Sequence, residues 1–332
     1  MKNFLFVGGA GYIGGVTVDM LTNFQAVNVQ NIGKIIVFDN LTYEHRYFKA
    51  VNFIYGDCRD TQLLLNIIKN EEITDIIWLS AIVGDGACAI NPELTRDINT
   101  TSVKNIVNAI KENKLDVHFT FLSTCSVYGN QKEYFLNEES STAPISEYAK
   151  SKLEAEQYVN EINGTVFRLG TIYGVGDQFS RIRLDLVVNA LTVNAVLNKK
   201  IVINGGEQWR PIISVNDVKI AILEAILYDY RGLYIIASEN IELKHIGQRV
   251  AKAIEGTEIE YTDLPFEDLR NYHVDTDKAK SKFRSVKEFP TNTIENEVER
   301  LADLIKTYRI KDVKDVIYHN AKYLGVKVNA TN

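Results

Sequence analysis

Tyr148 and Lys152 stand four residues apart in Ser146-Glu147-Tyr148-Ala149-Lys150-Ser151-Lys152. On a helix that spacing puts both side chains on one face. An ammonium beside a phenol stabilises the phenolate and lowers its pKa towards working pH. The tyrosine can then take the proton of a hydroxyl while hydride leaves the same carbon. Tyrosine and lysine at helical spacing are also a common surface pair, so the reading needs partners. One lies upstream in Ser123-Thr124-Cys125-Ser126-Val127-Tyr128-Gly129, where an apolar run ends in hydroxyl residues. Thr124 either hydrogen-bonds the oxygen whose proton Tyr148 takes or closes a local side-chain-to-backbone bond at the strand end.

A hydride needs an acceptor, and the first residues supply a place for one. Phe4-Leu5-Phe6-Val7 reads as a buried strand, followed by Gly8, Gly11 and Gly14 at three-residue spacing and then by an apolar-periodic helix. A glycine makes the sharp turn, a second lets the backbone approach a pyrophosphate, and a third lets helix and strand pack closely. The helix N-terminus, at Gly11-Tyr12-Ile13-Gly14, offers its N–H groups to phosphate. Asp39 follows the second apolar run, Lys34-Ile35-Ile36-Val37-Phe38. A carboxylate there accepts from the adenosine ribose hydroxyls and repels a 2′-phosphate, which favours NAD over NADP. It lies further than the usual ~20 residues from the last glycine, so 25–33 reads as an inserted loop. Two readings compete with this one: Asp39-Asn40-Leu41 as a solvated turn, and His45 and Arg46 as contacts for a 2′-phosphate. In Gly56-Asp57-Cys58-Arg59-Asp60 a carboxylate either accepts from the adenine amino group or belongs to a turn, with Asp60 capping a helix at 61–70. Leu79-Ser80-Ala81 ends the fourth strand with small residues that let a flat ligand approach. Asp85, in the loop after it, faces a sugar hydroxyl or solvent.

The elements that must hold these residues follow from hydrophobic patterning. Strands are predicted at 3–7, 34–38, 52–55, 75–79, 117–122 and 165–168, and helices at 12–25, 61–70, 93–113 and 146–162. Their alternation predicts an α/β fold, a doubly wound parallel sheet of the Rossmann kind. The expected domains are 1–170 with 212–238 for the dinucleotide, and a smaller C-terminal substrate lobe from 171–211 with 239–332. Irregular loops are expected around 82–92 and 174–209. A chain of 332 residues, 45% hydrophobic and 24% charged, can bury a sizeable core. A net charge of −6 without a basic cluster argues against nucleic acid or an anionic membrane as partner. Three cysteines, Cys58, Cys88 and Cys125, lack metal-ligand spacing. They point to a reducing, cytoplasmic setting and to no metal site. The apolar N-terminus reads as a strand entering a turn, not as a signal peptide.

Together these motifs resemble the extended short-chain dehydrogenase/reductase family, in its branch of nucleotide-sugar epimerases and dehydratases. The resemblance runs through the Gly8–Gly14 turn, Asp39-Asn40-Leu41, Gly56 to Asp60 (with Asp57 and Cys58), Leu79-Ser80-Ala81, Asn99, Thr124 to Gly129, and Tyr148 with Lys152. It implies that Lys152 also holds the nicotinamide ribose and that Asn99 helps shape the pocket. Arg168-Leu169-Gly170-Thr171-Ile172-Tyr173-Gly174 resembles the family's strand leading to the substrate, with Thr171 where an asparagine is usual. Arg210, in Trp209-Arg210-Pro211, is implied as a diphosphate ligand, and Arg270 as another phosphate candidate. Either Arg181 or Arg183 reaches the diphosphate or sugar, or both are solvated. Asp217 is expected to cap a helix at 217–229. Dehydratases of the family carry Asp-Glu directly after the threonine. Cys125-Ser126 stands there instead, and a thiol and a hydroxyl cannot replace that acid–base pair.

The expected activity is therefore NAD-dependent epimerisation of a nucleotide sugar through transient oxidation at C4. A nucleotide-sugar 4-dehydrogenase or 4-ketoreductase would use the same residues. A non-catalytic NAD(H)-binding sensor is the remote alternative, and the presence of Thr124, Tyr148 and Lys152 weighs against it. Family habit implies a homodimer paired through helices 93–113 and 146–162.

Overall fold

The computed structural model describes residues 1–27, 29, 31–43, 47, 49–131, 135–177, 179, 181–262 and 271–331. His45, Arg46 and Arg270 lie outside the described residues. The first half runs β1 (Lys2–Val7), α1 (Tyr12–Ala26), β2 (Ile32–Asp39), β3 (Asn52–Tyr55), α2 (Thr61–Asn70), β4 (Asp75–Trp78), α3 (Asp85–Ile90), α4 (Pro92–Arg96), α5 (Ser102–Glu112), β5 (His118–Thr124), β6 (Phe135–Leu136), α6 (Glu147–Glu161) and β7 (Thr165–Leu169). The second runs β8 (Thr171–Tyr173), α7 (Val187–Asn198), β9 (Lys200–Asn204), β10 (Trp209–Ser214), α8 (Val215–Tyr228), β11 (Gly232–Ile236), β12 (Glu239–Glu242), α9 (Leu243–Ala253), β13 (Glu258–Thr262), β14 (His273–Val274), α10 (Asp277–Lys282), α11 (Ile294–Lys306) and α12 (Asn320–Thr331).

The main sheet has seven strands in the order β11-β7-β5-β4-β1-β2-β3, all parallel. Alternation along β1 shows why it is covered twice. Phe4 and Phe6 pack with Val18 and Leu21 of α1 and Val218 and Ile222 of α8. Leu5 and Val7 pack on the other face with Ile67 of α2, Ile106 of α5 and Val159 of α6. Removing such side chains from water stabilises the fold by roughly 1.5–3 kcal/mol each. The strand order reverses between β1 and β4. Ligands of open α/β sheets bind beyond the strand ends at that point.

The second half builds its own core. β8, β10 and β12 form a three-stranded sheet, and β9 pairs with β13. Ile201, Ile203, Ile212, Ile246 and Val298 of this region pack together.

Three predicted features differ in the structure. The single helix expected over 93–113 is α4, a π-helical turn at Asp97–Thr101, and α5. Within this turn the Asn99 side chain bonds to Ile82, and π-helical turns are common at functional sites. The stretches 82–92 and 174–209 are not irregular throughout, since they contain α3, α7 and β9. In α7, Val-Val-Asn-Ala-Leu-Thr-Val-Asn-Ala-Val-Leu-Asn carries apolar residues all round, so it shows no one-sided stripe. Asp217 is not a cap. Ser214 caps α8, and the fully buried Asp217 instead receives hydrogen bonds from Thr291 and Asn292.

Candidate active site

The glycine turn lies at the reversal point. The Gly8 N–H donates to Phe38 O at 2.8 Å, and the N–H groups of Leu79 and Ser80 donate to Val7 O at 2.7 and 2.9 Å. This brings the chain after β1 against the chain after β4. Gly8 has φ +82°, and a Cβ there would lie 2.5 Å from Ser80 N. A Cβ on Gly14 would lie 2.5 Å from Gly9 O. At the N-terminus of α1, Gly11 gives no side-chain cap and the first turn holds no acidic residue. This end of the helix lies in the cleft lining with no acidic residue in its own first turn, which suits a pyrophosphate. Gly8, Gly11, Tyr12, Ile13 and Gly14 all line that cleft. The Tyr12 hydroxyl donates to Gly174 O at 2.6 Å, which ties the start of α1 to the second half of the chain.

Asp39 stands behind the turn. Its carboxylate accepts from Ala10 N at 3.0 Å and Leu41 N at 2.8 Å. Burial raises its pKa against those two bonds. One strand further out, the Asp57 carboxylate is held by Arg59 at 2.9 and 2.8 Å, which lowers its pKa, and a bond from Asn40 acts the same way. Cys58 is buried and its thiol is pushed up to about 11, with Ser80 and Ser102 beside it. Asp60 caps α2 through Leu63 N, as expected. These residues cluster at the ends of β2, β3 and β4, outside the lining of the main cleft, while Leu79 and Ala81 line it.

The cleft encloses about 470 Å³. Thr124 from β5 and Tyr148 and Lys152 from α6 form part of its wall. Ser146 caps α6 by accepting from Ala149 N at 3.2 Å, so the helix begins just before Tyr148. The local reading of Thr124 is seen, and a contact with Tyr148 accompanies it. Its hydroxyl accepts from Ser126 N at 3.1 Å, and a hydrogen bond with Tyr148 eases the ionisation of that phenol. Cys125 also lines the cleft, with its thiol donating to Arg168 O at 3.4 Å, and burial pushes its pKa far up.

The expected electrostatics of the pair are corrected. Burial dominates both partners. Tyr148 packs beside Ile82, Ala87, Cys88 and Leu324, and its pKa is raised, with Arg183 and the Thr124 bond opposing the rise. Lys152 is 4% exposed, with its ammonium 4.2 Å from the Phe121 ring centroid, and burial brings it down to about 7. Without ligand, burial therefore opposes the charged form of both groups.

Beneath the pair, Glu156 joins Arg168 of β7 at 2.8 Å and accepts from Ser123 of β5. This ties α6 to the strand that carries Thr124. Asn99 is fully buried and does not line the cleft. Its carboxamide accepts from Ile82 N at 2.8 Å, donates to Ile82 O at 2.9 Å, and donates to Ser151 Oγ at 3.1 Å. It thus fixes the loop after β4 against α6.

The remaining wall is cationic. Thr171, Arg181, Arg183 and Arg210 line it, and Asp85 stands exposed at the mouth on α3. Arg183 is paired with Asp185 at 3.0 Å. Arg210 donates to Trp209 O at 2.8 Å. Tyr43, Asp185, Gln208 and Asn320 also reach the cleft, and no motif in the sequence singled them out. Of the predicted residues with described positions, the structure brings the glycine turn, Leu79, Ala81, Asp85, Thr124, Tyr148, Lys152, Thr171, Arg183 and Arg210 to one cleft. Among the described residues no cluster of His, Cys, Asp and Glu could hold a metal ion, and no helix is long and apolar enough to cross a membrane.

Residues 4–234 match the model of the NAD dependent epimerase/dehydratase family. A UDP-glucose 4-epimerase of Rhizobium meliloti (strain 1021) is 31% identical over 163 residues, 48% of this chain and 47% of that protein. The chain thus spans about half the length of this curated relative. In fold, the chain is similar to a dTDP-glucose 4,6-dehydratase from Bacillus anthracis str. Ames in complex with NAD. The TM-score is 0.75 and the identity 21%, covering 97% of this chain and 100% of that one. It is likewise similar to a UDP-glucose 4-epimerase with UDP-glucose from Thermotoga maritima. There the TM-score is 0.76 and the identity 24%, covering 92% and 99%.

Proposed function

Because this chain belongs to the NAD dependent epimerase/dehydratase family, we propose that it is a nucleotide-sugar epimerase acting by transient oxidation at C4, with Tyr148 as base. NAD is its cofactor, and the uncapped, acid-free N-terminus of α1 fits the pyrophosphate. One observation carries the reading: a single cleft is lined by that N-terminus, Thr124, Tyr148 and Lys152. When bound, NAD supplies a hydride acceptor and donor.

Tyr148 takes the C4 hydroxyl proton and returns it after the keto sugar has presented its other face. Thr124 holds the oxygen between these events, and Lys152 steadies the ribose. Asp39 receives the adenosine ribose hydroxyls, with Asn40, Asp57 and Cys58 beside it, and Leu79, Ser80 and Ala81 leave room for the cofactor. The cleft lining offers Arg181, Arg183 and Arg210 against Asp85 and Asp185, an excess of cation suited to a diphosphate. Thr171 takes a sugar or phosphate hydrogen bond. The inward thiol of Cys125 supports epimerisation over dehydration, because no carboxylate pair follows Thr124.

The test is to incubate the purified protein with UDP-, dTDP- and GDP-hexoses without added cofactor. The expected product is a C4 epimer, with no accumulation of NADH. Tyr148→Phe should lower turnover by about 10²–10⁴-fold and keep bound NAD. Wild-type turnover in that variant sinks the proposal, and stoichiometric NADH with a keto sugar replaces it with a dehydrogenase.

The same reading divides the chain into a cofactor domain, 1–170 with 212–238, and a substrate lobe, 171–211 with 239–332. It also takes the protein as a cytoplasmic homodimer paired through α5 and α6. Light scattering on the purified protein checks the dimer, and a monomer overturns it.

A further inference from the structure

Asn320 begins the C-terminal helix, far in sequence from every motif above, yet it lines the cleft while only 2% exposed. Its side chain joins two loops. Its Oδ1 accepts from the Arg181 guanidinium, and its Nδ2 donates to Val83 O at 3.0 Å. Its backbone N–H donates to Asp185 Oδ2 at 3.0 Å, and Asp185 is the carboxylate that pairs with Arg183. Asn320 thus touches the settings of both arginines. One turn on, Leu324 packs into the cluster that holds Ile82, Cys88 and Tyr148, which anchors the residue.

Arg181 is 3% exposed, lies 3.9 Å from the Tyr43 ring centroid, and donates to Tyr43 O at 3.4 Å. The ring, this carbonyl and the Asn320 carboxamide together orient the guanidinium in the cleft lining. Val83 and Asp85 belong to the chain that leads from β4 past Tyr148, so the same carboxamide sets the distance between the arginine wall and the catalytic wall.

We infer that Asn320 is a positioning residue of the substrate site: it fixes Arg181 to receive the anionic diphosphate part of the ligand. The inference rests on the nucleotide-sugar reading. A freely rotating arginine would lose rotamer entropy on binding each ligand, whereas a preset guanidinium has already lost it. Asn320→Ala keeps the backbone N–H that holds Asp185, so the loss of the carboxamide acts on binding and not on the phenol.

The experiment measures UDP, dTDP and GDP binding to the NAD-loaded protein by calorimetry. It compares wild type, Asn320→Ala, Arg181→Ala and the double variant. Each single change should weaken the preferred nucleoside diphosphate about tenfold, and the double change no more than either. In turnover, Asn320→Ala should raise KM about tenfold with kcat within about threefold, and bound NAD should be retained. If Asn320→Ala does not fold, Asn320→Ser should fold and give an intermediate loss. Wild-type affinity in a folded Asn320 variant, or losses that add, overturns the inference. If wild type binds a nucleoside diphosphate but forms no epimer, the epimerase reading fails while the coupling of Asn320 to Arg181 stands. If wild type binds none of the three, both fail.

Discussion

Replacing Lys152 by Met should stabilise the cofactor-free protein near neutral pH while abolishing turnover. The structural cause is desolvation. Burial takes this lysine from its ordinary 10.5 to about 7, against upward pulls from Cys88 and Glu156. Cys88 is itself pushed up to about 12 by burial, so its thiol is uncharged near neutrality and only Glu156 then supplies negative charge. In the unfolded chain the lysine recovers its ordinary proton affinity. Between about pH 7 and pH 10.5 the unfolded state therefore binds more protons than the folded state. Stability must rise with pH across that window, and the penalty is complete below it. At about 1.4 kcal/mol per pH unit, the ceiling is roughly 5 kcal/mol. Local relaxation, and an effective dielectric well above that of a dry interior, reduce it to about 2–3 kcal/mol. Urea unfolding of both proteins at about pH 6.5 and about pH 9.5 reads the effect, because other titrating groups are common to the two. The advantage of Lys152→Met should be about 2–3 kcal/mol at the lower pH and shrink by about two thirds at the higher. Parallel stability curves, or a variant less stable at both pH values, would refute the desolvation argument.

Other perturbations test other parts of the site. In Gly8→Ala the new Cβ meets Ser80 N at 2.5 Å at a φ of +82°. The backbone conformation alone costs about 1–2 kcal/mol, and the strand ends must part as well. The expected result is a lower Tm and loss of the NAD released on denaturation, and an unchanged cofactor content contradicts it. Arg183→Ala removes a cation that opposes the raised pKa of Tyr148 and leaves Asp85 acting upward on it. The rising limb of kcat/KM against pH should move to higher pH, with activity near pH 7 down about tenfold; an unmoved limb removes Arg183 from the electrostatics of the phenol. Glu156→Gln leaves the 5%-exposed Arg168 without its carboxylate. Breaking one partner of a buried pair costs about 3–5 kcal/mol, read by chemical denaturation, whereas Glu156→Leu with Arg168→Met should recover most of it. A loss below about 1 kcal/mol in Glu156→Gln would show that water reaches the pair.

The sheet and the glycine turn were legible because their signals are local. A buried parallel strand is a short apolar run, and a turn that forbids a Cβ needs glycine whatever surrounds it. Predicted strand and helix limits from residue 1 to 170 lie within about two residues of those observed, outside the stretch that leads from β4 to α5. That stretch failed for a physical reason. The small residues of Gly84-Asp85-Gly86-Ala87-Cys88-Ala89 read as loop. They form α3 because Ala87 and Cys88 are covered by Leu324, some two hundred residues on. Asn99, expected to help shape the pocket, does not line it but bonds Ile82, which stands between the lining residues Ala81 and Val83. Asn320 gave no signal, since a lone asparagine owes its role to neighbours that the chain brings together only on folding.

The pairing of Tyr148 with Lys152 shows the limit most clearly. Four-residue spacing on a helix reports proximity, and proximity was the basis for expecting a phenol made acidic by an ammonium. Whether two close groups ionise depends also on the medium between them. Here the same burial that brings the lysine down to about 7 lifts the tyrosine, so each loses the charged form the other would need. The stabilising charge then has to come from outside the pair, and among the protein's own groups Arg183 acts in that direction. Arg183 is held by both carboxylate oxygens of Asp185, and Asp185 is held by the backbone of Asn320. The acidity of the Tyr148 phenol is thereby linked to the C-terminal segment, through contacts that no local pattern in the sequence records.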